Sequence, residues 1–178
     1  MPYSRILLSK IVILSIALSS LGCSSFPEVK TQAYAQLKTE EVFEFDLPTV
    51  WKAIETAVKP AKILERTPSE VSPEELKKIN QRELQTDWIY AQSRNKYQEY
   101  VINGLPRKVY LQTRYILTIR AEKMFGGVKV SIQSDEQIQR YKTDGSLDSY
   151  ATVGIPDSSR SSEMLNKIKF TLLSLPSI

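Results

Sequence analysis

The one cysteine in the chain, Cys23, directly follows a stretch with the three parts of a secretory leader. Arg5 and Lys10 form a positive head, Ile11 to Leu18 an apolar centre, and Ser20-Leu21-Gly22 a small or neutral run up to the thiol. The apolar centre is shorter than a bilayer span, which takes about 20 residues. A thiol in this place is the nucleophile that takes a diacylglyceryl group. Cleavage between Gly22 and Cys23 then frees a new N-terminus, itself open to acylation. Each buried methylene adds about 0.8 kcal/mol, so several acyl chains hold a domain at a membrane where one does not. The alternative reading of Cys23 is a free core cysteine at the end of an uncleaved anchor.

Other chemistry is scarce. The chain has no histidine, which removes the commonest general base and the commonest metal ligand. With Cys23 committed to lipid, Cys/His zinc sites and Ser-His or Cys-His catalysis are excluded. No catalytic residue, cofactor or metal is expected, and the chain reads as a non-enzyme. Asp87, Asp135 and Glu136 offer carboxylates, but no spacing fixes them as a pair, and the expectation for all three is a solvated face. Gly126-Gly127 lacks the flanking pattern of a phosphate loop and reads as a turn. The formal charge is +4, of which Arg5 and Lys10 supply two. What remains is too small and too well mixed along the chain for a nucleic-acid binder.

The elements that must carry any site follow from periodicity. Residues 1–22 are the leader. Residues 23–39 lack clear periodicity and read as a lipidated N-terminus and flexible tether, reaching about 3.3 Å per residue and standing the domain off the membrane. A single domain fills 40–178. It opens with a strand from Glu41 to Asp46, then a helix capped by Asp46 or Thr49, with Val50, Trp51, Ile54, Ala57 and Val58 on one stripe. Ile63 to Glu65 is a short strand. Ser72-Pro73-Glu74-Glu75 is a capping box that starts a small helix. Leu84 to Tyr90 alternates, as does 108–122, where Val109, Leu111, Thr113, Tyr115, Leu117 and Ile119 share a face. Val128, Val130 and Ile132 resume the alternation after the Gly126-Gly127 turn and complete a hairpin. Residues 142–146 read as a loop, and Asp157 or Ser161 caps a final helix with Met164, Leu165, Ile168, Leu172 and Leu173 on its stripe. One helical layer on an antiparallel sheet satisfies every stripe, an α+β fold.

Three of these pieces in order carry a resemblance: the Phe43 to Ile54 strand-to-helix entry, the Leu84 to Trp88 strand and the Arg114 to Arg120 hairpin arm. Over residues 40–175 they resemble the helix-grip domains of the BamC-like lipoproteins of the outer-membrane β-barrel assembly machinery. The resemblance implies a single helix-grip domain, a periplasmic or cell-surface lipoprotein, and a scaffolding, non-enzymatic role. Ser24 and Ser25 follow the cysteine without an aspartate there, which by resemblance to other lipoproteins favours the outer membrane.

Within this frame, Asn95 to Lys108 mixes aromatic, aliphatic and basic residues around Asn103-Gly104, a pair suited to a tight turn. Tyr97, Tyr100 and Ile102 are the candidate contacts for an envelope protein partner if they protrude. The alternative is that the two strands extend and these side chains cover the sheet. Trp51 and Trp88 are expected in the core. A carrier of small apolar ligands or lipids is the competing function, since helix-grip sheets can leave a cavity under the helix. The filling of the space beneath the helix decides between the two.

Overall fold

The computed structural model describes residues 27–66, 79–142 and 146–174. Cys23, the leader and the capping box at Ser72 to Glu75 lie outside the described residues.

The elements are β1 (Lys30–Thr31), β2 (Glu40–Phe43), α1 (Leu47–Val58), β3 (Ile63–Arg66), β4 (Gln81–Thr86), β5 (Ile89–Ile102), β6 (Leu105–Met124), β7 (Gly127–Tyr141), β8 (Leu147–Thr152) and α2 (Ser158–Leu173). All the strands join one sheet through antiparallel pairs. The β6–β7 hairpin is its spine. One edge of β6 takes β5 along its first half and β4 along its second, while β7 takes β2 near its start and β8 near its end. The molecule is thus α+β, with a long hairpin flanked by four shorter pairings.

Local chemistry accounts for the helices. Asp46 caps α1, its Oδ1 accepting from the Thr49 amide at 3.0 Å, and Pro48 sits in the first turn, where its missing N–H costs nothing. Asp157 caps α2 by accepting from the Ser159 amide at 2.9 Å. The α1 stripe of Val50, Trp51, Ile54, Ala57 and Val58 is buried against Leu117, Ile119, Ala121, Val128, Val130 and Ile132 of the spine. Leu165, Ile168 and Leu172 of α2 close the same core, whereas Leu173 is exposed. Burying each large aliphatic of this set contributes about 1.5–3 kcal/mol. Gly127 is required where β2 meets β7, because the Phe43 carbonyl oxygen lies 2.3 Å from where a Cβ would stand.

The expected tether is different from what its composition suggested. β1 pairs with β5, Lys30 opposite Tyr97 and Thr31 opposite Lys96. Further along, the Gln32 amide donates to Asn95 O at 2.7 Å and the Leu37 amide to Ser158 Oγ at 3.0 Å. Residues 30–37 are therefore laid along the domain, held mainly by backbone groups, for which no side-chain periodicity is needed.

Candidate functional site

Two places gather side chains beyond the needs of the core. The first is the arm made by the last part of β5 and the first part of β6. Its turn is Asn103-Gly104 with φ of 54° and 76°, the paired positive values of a type I′ turn that matches strand twist. Ile102 faces Leu105, Val101 faces Pro106, and Tyr100 faces Arg107 across the pair. β7 begins to pair with β6 only at Thr113, so the arm runs past the rest of the sheet. Val101 is 75% exposed, Leu105 58% and Ile102 51%.

The two strands extend to the turn, and of the three candidate contacts Tyr100 and Ile102 are exposed while Tyr97 is not. Tyr97 is buried, its ring 5.9 Å from that of Tyr110 with Lys108 Nζ 4.5 Å above it. The cause is an irregularity in β5. Gln92 pairs with Gln112 but Tyr97 with Tyr110, so three extra residues bulge between them and turn Asn95, Lys96 and Tyr97 inward together.

That bulge builds the second place. Lys96, Glu136 and Arg160 come from β5, β7 and α2, and all three side chains are buried. Lys96 Nζ donates to Glu136 Oε2 at 3.1 Å, to Asn95 Oδ1 at 3.0 Å and to the Ile155 carbonyl at 3.3 Å. Arg160 Cζ lies over the Tyr115 ring, 4.1 Å from its centroid, and its Nη2 donates to Gln92 O at 3.0 Å and stands 3.9 Å from Glu136 Oε1. Glu136, expected on a solvated face, is 1% exposed. Its position continues the inward face of β7 through Val128, Val130, Ile132 and Ser134, and the two cations offset its burial. The alternation was there to be read; the charge of the side chain masked it. Asp135 is exposed, and Asp87 pairs with Lys62 at 3.2 Å, its carboxyl held below the ordinary range chiefly by the Trp88 amide and then by Lys62.

Beside Arg160 an open cleft of about 420 Å³ lies between the helices and the sheet, with Ala57, Val58, Trp88, Tyr115 and Met164 in its walls. Trp51 is in the core as expected, with Arg82 stacked 4.2 Å over its ring. Trp88 is only half-buried. Arg114 stacks between Trp88 at 4.2 Å and Tyr150 at 3.6 Å, and its Nε donates to Gln137 at 2.9 Å. No protein-family model matches the chain, and no curated protein does. Among the described residues no group of three or more His, Cys, Asp or Glu is placed to hold a metal, and no helix is long and apolar enough to cross a membrane.

Proposed function

We infer that this chain is a bacterial envelope lipoprotein, acylated at Cys23, whose single helix-grip-like domain serves as a non-catalytic scaffold or accessory subunit at the outer membrane. Outer-membrane protein assembly is the setting that the BamC-like sequence pieces suggest. The observation that carries the choice of scaffold over carrier is the packing under α1. Trp51, Ile54, Leu84, Leu117, Ile119, Leu165 and Ile168 are all fully buried in the space a carrier would keep open. The Trp88–Arg114–Tyr150 stack supports a protein partner, because tryptophan, arginine and tyrosine are the residues on which binding energy concentrates.

The carrier reading rests on two clefts open to solvent. One lies beside Arg160, lined by Lys62, Arg94 and Lys167 as well as apolar groups. A larger one of about 810 Å³ lies between the start of α1 and the β6–β7 turn, lined by Phe45, Leu47, Pro48, Lys123, Met124 and Val128. Such clefts suit a surface contact better than a sequestered lipid. A photo-crosslinking residue at Gln137, in intact cells, tests the scaffold directly. The expected result is one defined envelope protein, captured from the parent and lost with Arg114→Ala. Capture of lipid alone, or of nothing, contradicts it.

A further inference from the structure

The arm and the N-terminal segment are joined in a way that gives the arm an occupant. Gln98 Nε2 donates to the Pro27 carbonyl at 2.8 Å, and Lys30 and Glu99 form an ion pair beside it. β1 is antiparallel to β5, and β5 runs outward to the turn. The chain N-terminal to Lys30 therefore heads toward the arm's tip, not away from it. Cys23 is four residues before Pro27, and Ile102 is four residues beyond Gln98. Four residues span at most about 14 Å, so chain length alone keeps Cys23 within that distance of Pro27, and Ile102 within the same distance of Gln98.

We propose that the tip of the β5–β6 arm is a membrane-contacting element, seating Val101, Ile102 and Leu105 in the lipid interface beside the anchor. This rests on acylation of Cys23. The chemistry of the tip fits a bilayer surface. Aliphatic side chains bracket the turn on both strands, with Tyr100 and Arg107 paired one step back and the Glu99–Lys108 pair a step further. This order places apolar groups at acyl depth, a tyrosine at the headgroup boundary and the Arg107 cation over anionic headgroups. The acyl chains on Cys23 hold the domain at the membrane without fixing its orientation, and an apolar tip adds a second contact that does. Apolar side chains at such exposure on a hairpin turn have no role in the core, which they do not touch.

The test uses the full-length gene product purified from membranes of producing cells and reconstituted into phosphatidylethanolamine–phosphatidylglycerol vesicles with brominated acyl chains. Ile102→Trp adds a fluorophore at the tip. Phe125→Trp adds one at the opposite end of β6, at the exposed β6–β7 turn. Emission is read against the parent, which carries Trp51 and Trp88. The expected result is a blue shift and loss of most of the added emission at position 102, with the added emission at 125 unquenched. Equal quenching at both ends, or none at 102, overturns the proposal. The mass of the same sample reports the state of Cys23, so a failed anchor is seen separately from a failed contact. Quenching at 102 alone with an acylated Cys23 supports the proposal, whereas the same quenching with a free thiol overturns the placement of the tip beside an anchor.

Discussion

Gln98 and Pro27 are linked by a 2.8 Å hydrogen bond from the Gln98 side-chain amide to the Pro27 carbonyl, 71 residues apart in sequence. With the Lys30–Glu99 pair and the β1–β5 pairing, it fastens the N-terminal segment to the side of the arm. On the proposed acylation of Cys23, only residues 24–26 separate the lipidated residue from the segment fastened to the arm.

That fastening is separable from the core. Changing Gln98 and Glu99 together to Ala should speed tryptic cleavage after Lys30 several-fold while the melting temperature changes little, because both side chains sit outside the hydrophobic cluster. Limited proteolysis with calorimetry reads both. A large fall in melting temperature at unchanged cleavage would show that the arm and the core unfold together.

Tyr97 and Tyr100 are three residues apart and differ in burial. Tyr97→Ser removes a buried ring and should cost about 3 kcal/mol. Tyr100→Ser, on the exposed part of the arm, should stay within about 0.5 kcal/mol of the parent. Urea unfolding distinguishes them, and equal effects would contradict the bulged register between Gln92 and Tyr97.

The Lys96–Glu136–Arg160 cluster makes a sharper demand. Glu136→Gln leaves two buried cations without a carboxylate and should cost about 3–5 kcal/mol. Replacing all three together with Lys96→Met, Glu136→Leu and Arg160→Met should recover most of that loss, because desolvation of the charges disappears with them. A triple variant less stable than Glu136→Gln would mean that the cluster contributes net stability beyond its desolvation cost.

Glu41 of β2 accepts from Lys169 of α2 at 2.9 Å, and this hydrogen bond is the main cause holding its carboxyl below the ordinary glutamate value of 4.5. A carboxyl depressed on folding stabilises the native state above its unfolded pKa, and that stability is lost as pH falls through the folded one. Stability should therefore drop on acidification below about pH 4.5, and Glu41→Gln should flatten that part of the curve. Chemical denaturation from pH 7 to pH 3 measures it. An unchanged acid limb in the variant contradicts the linkage.

The two described helices, the β6–β7 hairpin and the helix caps, each narrowed to two candidates of which the aspartate serves, were legible in the sequence, since helix periodicity, caps and the hairpin turn rest on residues close in the chain. The one-residue-in-two alternation of β6 was read correctly from Leu111 to Ile119. It failed at Val109, where the strand leaves the body and a side chain in phase with the core faces water. β1 and β8 were not foreseen. Both are short, largely exposed strands, held by backbone pairing to a partner distant in sequence or across a polar loop. At the candidate sites the same division holds. The tight turn of the arm was visible in Asn103-Gly104, but the inward turn of Tyr97 depends on a bulge that no local pattern marks. The ion cluster was missed because each of its charges, taken alone, belongs on a surface, and only the meeting of β5, β7 and α2 makes burial tolerable.

The proposed acylation of Cys23 is the step on which the proposed membrane placement depends. Intact-mass and peptide mass spectrometry of the protein extracted from cell membranes tests it most directly. The predicted result is a mature chain beginning at Cys23, with a diacylglyceryl group on its sulfur. A chain that keeps residues 1–22, or a mature N-terminus with a free thiol, contradicts the account.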